Sequence, residues 1–568
     1  MSASTGLPLP DRSVPPRLAS YEEERTRYHA EVPERYNPVL HVIEGWAAEE
    51  PEAQALVSVD GNGELMATHT VAELARESRR MARALQALGV RKGDTVFIML
   101  GRVPAWYFAM LGVMRIGAVP MPGTNLLTGH DIAYRILCGE AAAAVTDAPG
   151  SEKVDAIEDE LPTLRHRIRW SSDGQRREGW HDLDALMDEA GDGPTPEDPT
   201  SRDDPLLIYF TSGTVSYPKM VLHPQSYAVG HVGTARFWHD LRPGDRHWTV
   251  TDTGWAKAAW GGLFGQWRER ATVVQVALGK PDADTILSII ANHKVTSFCA
   301  PPTLYRLLVL TDLRACDLSV LRHCTSAGEP LNPEVIRAWR EGTGGLTVYD
   351  GYGQTETTCL VANYRALPVR PGSMGKPVPG YEVDVLDDAG RRAPDGEVGN
   401  IAVRAEPRPL GLFVGYHREP EATAKRMVAG WYHTGDRAAR DADGYIWFEG
   451  REDDVITSSA YRIGPFEVES ALVEHPAVAE AGVVGKPDPE RTEIVCAFVL
   501  LAPGHSPSTA LTREIQEHTK KVTAPYKYPR EVRYVTELPK TVSGKIRRTE
   551  LREWLRTQCP EGVELPVA

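Results

Sequence analysis

The chain has 568 residues, of which 42% are apolar and 25% charged, with 13 Trp. That is enough apolar mass for at least two folding units, and it excludes wholesale disorder or a collagen-like repeat. Against 63 Lys and Arg stand 78 Asp and Glu, a net charge of −15, and such a field repels phosphate backbones and acidic membrane surfaces, so nucleic acid is not an expected partner.

Met1 to Ser20 is Pro-rich and polar, without an apolar run, and reads as neither a signal nor a transit peptide. Thr70 and Glu73 have capping-box spacing, Val71, Leu74, Met81, Leu85 and Leu88 share one helical face, and Gly89 ends the run, which predicts a helix. Thr95 to Leu100 then reads as a strand, Trp106 to Ile116 as a helix and Ala118 to Met121 as a second strand. This β-α-β rhythm predicts an α/β fold with parallel sheets covered by helices. Val103 to Met114, the most apolar stretch of the N-terminal third, is closed by Arg115 and falls short of the ~20 residues of a membrane span. Ser171 to Asp204 is rich in Ser, Asp, Gly, Glu and Pro, with a helical island at Leu183 to Met187, and is expected to be a surface connection between lobes. Past Asp453, a helix at Glu467–His475, strands at Val478–Val484 and Ile494–Leu501 and a basic tail suit a small α+β domain, dividing the chain into 1–452 and 453–568. The seven cysteines are scattered and never spaced C-x-x-C, which argues against a disulfide framework or zinc site and makes the cytoplasm the expected compartment.

Four motifs carry chemistry. The apolar strand Leu206 to Phe210 runs into Thr211-Ser212-Gly213-Thr214-Val215-Ser216-Tyr217-Pro218-Lys219, whose hydroxyls, loop N–H groups and terminal lysine suit phosphate. It is not a Walker loop, because Pro218 takes the second glycine position. Asp350-Gly351-Tyr352-Gly353-Gln354-Thr355-Glu356-Thr357 combines an aromatic that can stack on a base with a carboxylate that can hold Mg²⁺. His433 to Asp436, Gly450 to Asp454 and Ser459 to Arg462 bring a carboxylate suited to ribose hydroxyls near two guanidinium groups suited to phosphate. Finally, Pro539 to Lys545 sets a lysine beside a flexible glycine.

In order and spacing these motifs resemble the adenylate-forming superfamily of acyl-CoA synthetases, nonribosomal-peptide adenylation domains and luciferases. Gly101 to Trp106, Met121 to Thr124, Thr253 to Lys257, Tyr461 to Pro465 and Thr523 to Arg530 resemble its medium-chain acyl-CoA synthetase branch. The resemblance implies a large N-terminal domain of stacked α/β subdomains with a small mobile C-terminal domain. It implies activation of a small medium-chain or aromatic carboxylic acid by ATP and Mg²⁺ to an acyl-AMP, followed by transfer to CoA. An alternative keeps the adenylate but uses an acceptor other than CoA, such as an amine, or activates nitrite.

Residue by residue, the resemblance implies that Thr211, Ser212, Gly213, Thr214 and Lys219 close over the outer phosphates. Gly328, Glu329 and Pro330, with Asp350 to Gln354, embrace adenine, and Thr355 lies near the α-phosphate. Glu356, with Thr214, holds Mg²⁺, Asp436 takes the ribose, and Arg451 and Arg462 contact the nucleotide. Lys545 bridges the substrate carboxylate and the α-phosphate. Asp453 matches the hinge of a rotating C-terminal domain, Ser459, Ala460 and Tyr461 border the pantetheine passage, and Arg491 and Lys520 match positions for the nucleotide end of CoA. Trp255 matches an acyl-tunnel aromatic, with Trp260 a neighbouring pocket candidate. Two departures stand out: Val215 and Ser216 replace a hydroxyl residue and a glycine of the phosphate loop, and Ala460 replaces a glycine. The oligomeric state stays open between monomer and homodimer.

Overall fold

Thr70 starts the first long helix, Val71–Ala87: its hydroxyl accepts the Glu73 N–H at 3.2 Å, the Glu73 carboxylate accepts the Thr70 N–H at 2.8 Å, and Gly89 turns the chain out at φ +86°. In the computed structural model the described residues are 9–172, 174–195, 200–211, 217–279, 282–452, 454–458, 461–540, 545–557 and 563–564. The helix and strands expected after Thr95 appear as Thr95–Met99, Pro104–Arg115 and Val119–Pro122. They belong to a parallel sheet in the order Val119–Pro122, Thr95–Met99, Ala143–Thr146, His166–Arg169, His181–Asp182.

In the stretch read as a surface connection between lobes, the helical island expected at Leu183 to Met187 is present, but the stretch also joins the sheet and docks on it. His181–Asp182 extends this sheet, and the helix Leu183–Ala190 buries Leu183 and Met187. Arg80 Nε donates to the Met187 carbonyl at 3.1 Å and Arg83 Nε to the Ala190 carbonyl at 2.8 Å, which ties this helix to the first long one. The composition was loop-like because the outward face of a short edge helix is polar, while two apolar side chains suffice to dock it.

A second, nine-stranded sheet has the order Lys376–Pro377, Cys359–Ala362, Val348–Gly353, His323–Ala327, Ser297–Ala300, Arg246–Thr249, Thr272–Val276, Gln54–Val59, Leu65–Thr70. Its six central strands are parallel and both edges antiparallel. The strand Pro205–Phe210 pairs antiparallel with Met220–Pro224, and the latter with Gly415–Tyr416. An antiparallel sheet follows, built on Val383–Leu386, Val398–Arg404, Trp431–Arg440 and Ile446–Arg451. The parallel-sheet expectation thus holds for the first two sheets and not for these two.

Beyond residue 453 the chain builds its own sheet, with Val478–Asp488, Thr492–Leu501 and Glu531–Val535 at its centre. The helices Pro465–Val473 and Thr509–Val522 cover it, burying Val468, Leu472 and Ile515 with Val483 and Val499 in a separate core. No helix among the described residues is long and apolar enough to cross a membrane.

Candidate functional site

In open α/β sheets ligands bind beyond the carboxyl ends of the parallel strands, and here that edge is formed by the ends of Ser297–Ala300, His323–Ala327 and Val348–Gly353. Just past Ala327, Gly328 has φ +112° with open space where a Cβ would project, so a side chain is disfavoured by the backbone and the face above it is free for a flat ligand. Asp350 is buried, accepts the Gly351 N–H at 3.0 Å, and burial pushes its carboxyl up to about 8, which leaves it a neutral acid at neutral pH. Trp238 stands against Gly351 and Trp260 against Gly353: a Cβ on either glycine would meet an indole within 2.5 Å.

Asp436 is the hub of the next turn of the site. Its Oδ2 accepts Tyr352 Oη at 2.5 Å and Gln354 Nε2 at 2.6 Å. Gln354 is fixed in turn by donating to the Thr434 carbonyl at 3.0 Å and accepting Tyr432 Oη at 2.8 Å. Strand pairing sets Asp436 opposite Arg451, whose Nε lies 3.6 Å from Oδ1, and this carboxylate is the main reason the guanidinium holds its proton more tightly than usual. With Oδ2 saturated, Oδ1 is the oxygen left to accept a diol.

Thr355 and Glu356 follow. His223 is fully buried, and burial lowers its pKa to about 3, so it is neutral and donates from Nε2 to the Thr355 carbonyl at 2.9 Å. Glu356 Oε1 accepts Tyr416 Oη at 2.8 Å, and the Lys219 ammonium lies 4.8 Å over the same tyrosine ring. Lys219 also closes the base of the Thr211 loop: its N–H donates to Thr211 Oγ1 at 3.0 Å while its carbonyl accepts the Thr211 N–H at 3.0 Å. Ser212, Gly213 and Thr214, together with Val215 and Ser216, lie outside the described residues.

Lys545 meets this cluster from the C-terminal region, within electrostatic range of Glu329, Arg451, Asp436 and Glu356. The cleft is open enough for the residue to be exposed, yet the protein crowding the ammonium depresses its pKa, with Glu329 opposing. Glu329 is itself pushed up by burial and sits 3.6 Å from Arg306. A second lysine, Lys257, reaches across the strand ends to donate to the Ala327 carbonyl at 2.8 Å, and it too is depressed by burial. Two cations thus flank a space in which burial raises the pKa of both carboxyls, Asp350 and Glu329.

The remaining candidates are spread more widely. Trp260 is 6% exposed and packs edge-on to Trp238 at 6.3 Å, whereas Trp255 is half-buried in the turn before the helix Lys257–Gly262 that carries Trp260. Pro330 is half-buried beside Glu329. Tyr461 and Arg462 pair with Ser458 and Thr457 in a strand, but their side chains lie outside the described residues, as do Asp453, Ser459 and Ala460 entirely. Arg491 is in the turn joining two strands, its N–H bonded to Asp488 Oδ1 at 2.9 Å. Lys520, on the helix Thr509–Val522, lies 4.3 Å over the Tyr528 ring, with Arg530 5.1 Å from the same ring. Sequence reasoning left out Tyr416, Tyr432 and His223, which approach from other sheets and carry no local motif. Lys257 stood within the Thr253 to Lys257 run, so its position was legible and its reach to Ala327 was not.

Residues 43–417 match the family model of the AMP-binding enzyme, and residues 467–545 match that of the AMP-binding enzyme C-terminal domain. The chain belongs to the AMP-binding enzyme family. The enzyme is 43% identical over 557 residues to the mouse mitochondrial acyl-coenzyme A synthetase ACSM3, covering 96% of this chain and 95% of the relative. It is 44% identical over 563 residues to human mitochondrial ACSM5, covering 97% and 96%. Among solved structures, an anthranilate CoA ligase, AuaEII, in complex with anthranoyl-AMP superposes with a TM-score of 0.84 at 31% identity, covering 92% of this chain and 98% of that one. A Brucella canis acyl-CoA synthetase superposes with a TM-score of 0.73 at 35% identity, covering 94% and 99%. The fold of the enzyme is that of the adenylate-forming enzymes. The cytoplasmic expectation is corrected: the mouse and human relatives are named mitochondrial and point to that compartment. Scattered cysteines without C-x-x-C spacing fit any reducing compartment and do not separate one from another.

Proposed function

We infer that this enzyme is an AMP-forming acid:CoA ligase that uses ATP and Mg²⁺ to activate a medium-chain or aromatic carboxylic acid. In the first half-reaction a carboxylate oxygen attacks the α-phosphorus and the bond to pyrophosphate breaks. In the second, the CoA sulfur attacks the acyl carbon, the bond to AMP breaks, and the thiol proton is released.

The observation that carries the assignment of roles is the approach of Lys545 to Asp436, Arg451 and Glu356, because it sets a mobile cation beside a diol acceptor and an acidic residue in one cleft. Asp436 Oδ1 accepts the ribose hydroxyls while Tyr352 and Gln354 hold Oδ2. The free face at Gly328 takes the adenine, beside the neutral carboxyl of Asp350 and residues Glu329 to Pro330. Thr211 to Lys219 covers the outer phosphates, and Thr355, with its carbonyl fixed by His223, lies by the α-phosphate. Glu356 is the fitting ligand for Mg²⁺, since it is acidic, nearly buried and oriented by Tyr416; the ion when bound offsets charge on the phosphates. Lys545 and Arg462 offset the charge that develops during acyl transfer to phosphorus, without covalent participation.

Residues 1–452 form the ATP- and acid-binding domain, and 453–568 form a mobile domain turning about Asp453. It brings Lys545 to the cleft for adenylation and Ser459 to Tyr461 for CoA, with Arg491 and Lys520 at the nucleotide end of CoA. Trp255 borders the acid and Trp260 backs it. The test is to incubate the enzyme with ATP, Mg²⁺ and a panel of straight-chain and aromatic acids, following pyrophosphate with and without CoA and weighing the product. Acid-dependent pyrophosphate and a thioester are expected; pyrophosphate without any thioester would move the enzyme to another acceptor.

A further inference from the structure

Lys545 is useful only if its ammonium arrives at one place each time the C-terminal domain docks, yet the lysine stands next to the helix Arg548–Arg556, whose N-cap has no side-chain hydrogen bond. The segment is held at its base by an antiparallel bridge between Lys540 and Ile546 and by the Arg547 N–H on the Pro539 carbonyl at 2.8 Å. Ile546, Leu551 and Trp554 pack with Val484 and Phe498 and seat the helix on the sheet by apolar contacts, which are not directional.

Arg548, three residues after Lys545, adds a directional constraint. Its Nη2 lies 2.8 and 2.7 Å from the two oxygens of Glu469, a buried carboxylate that also accepts the Val483 N–H at 2.8 Å. Its Nη1 lies 3.6 Å from Asp454 Oδ2, and Arg552 Nη2 donates to Asp454 Oδ1 at 2.7 Å. Asp454 adjoins the hinge position, and its N–H donates to the carbonyl of Arg451 at 2.9 Å, the residue paired with Asp436. One guanidinium therefore ties the lysine segment to the body of its own domain, through Glu469, and to the linker that leads back to the nucleotide side, through Asp454. A planar fork of fixed donors holds such a three-way junction where a flexible ammonium would not.

We propose that Arg548 is a positioning residue for adenylate formation, acting through Lys545 by locking the lysine segment to Glu469 and to the hinge-adjacent Asp454. The inference rests on the reading of Lys545 given above. A catalytic group displaced by ~1 Å loses up to ~100-fold in rate, whereas CoA transfer takes place without Lys545.

Each half-reaction is assayed separately with hexanoate and benzoate, as acid-dependent pyrophosphate release and as CoA transfer from hexanoyl-AMP and benzoyl-AMP. Arg548→Met is expected to slow the first by ~10–100-fold and leave the second within ~2-fold, with Arg548→Lys intermediate. In a Lys545→Ala background, Arg548→Met is expected to cost nothing further, because two residues acting as one unit are not additive. Equal loss of both half-reactions in Arg548→Lys, or a full additional loss on top of Lys545→Ala, would overturn the proposal. Should Arg548→Met not fold, the lysine variant decides. Absence of acid-dependent pyrophosphate from wild type with either acid would count against the functional reading itself, and a normal wild type with an unselective Arg548 variant against this inference alone.

Discussion

Tyr416 donates its hydroxyl to Glu356 Oε1 at 2.8 Å, and because Tyr416 comes from a separate two-residue strand paired with Met220–Pro224, the bond joins the acidic motif to the hairpin that carries Lys219. The tyrosine sits at the junction of the two elements proposed to hold phosphate and metal. Tyr416→Phe keeps the ring under Lys219 and removes only the donor. The Mg²⁺ concentration for half-maximal pyrophosphate release is expected to rise ~5–30-fold, since one hydrogen bond to a carboxylate contributes about 1–2 kcal/mol. A Mg²⁺ titration of the two enzymes checks this; superimposed curves would remove Glu356 from the metal.

Lys545→Ala is expected to slow adenylate formation by ~100–1,000-fold, leaving a measurable residual rate, while CoA transfer from supplied acyl-AMP survives. The wild type carries a pH signature of the same residue. Its ammonium is depressed below the ordinary lysine range by the crowding of the cleft, and the protonated form is the active one. The first half-reaction should therefore be intact below that depressed pKa and fade as pH rises through it, at lower pH than an ordinary lysine would give. A stopped-time pyrophosphate assay across alkaline pH reads the limb, and a rate that stays flat to the ordinary lysine range would contradict it.

Asp350 makes a prediction about stability. Its folded pKa is raised from 3.8 to about 8 by burial, so between those values the unfolded chain binds fewer protons than the folded one, and stability falls as pH rises. The limiting slope for one such group is about 1.4 kcal/mol per pH unit. Asp350→Asn removes that titration and keeps an oxygen for the Gly351 N–H. The Tm of Asp350→Asn relative to wild type should climb from pH 5 to 8 and level off above, and a difference independent of pH would show that the carboxyl is ionised in the folded enzyme.

The two tryptophans separate by burial. Trp260 is held among Trp238 and Gly353, so Trp260→Ala is expected to cost ~3–5 kcal/mol of stability, as large aromatic deletions in a core do. Trp255 is only half-buried and is proposed to border the acid, so Trp255→Ala should lower Tm little and shift the kcat/KM ranking of acids toward bulkier ones. An unchanged ranking would return Trp255 to ordinary packing.

The helix from Val71, the strand from Thr95, the strand ending at Phe210 and the helix and strands past Pro465 were legible because each is written in local terms, as a capping pair, an apolar run or a glycine stop. The runs proposed to hold nucleotide could be picked out for the same reason, since Asp350 to Glu356 and Thr434 to Asp436 are contiguous.

Other features were decided only when distant segments met. Sequence carries no signal that Tyr416 faces Glu356, that Lys257 reaches Ala327, that His223 holds Thr355, or that Arg548 joins Glu469 to Asp454. The protonation of Asp350 and Lys545 belongs to the same class, because burial fixes a pKa and burial is a property of the packed chain. The amino-acid sequence by itself determined which chemical groups are present and which short runs hold them together. Tertiary structure decided their charge, their partners and their aim, since those depend on contacts between residues far apart in the chain, as His223 and Thr355 are at 132 positions.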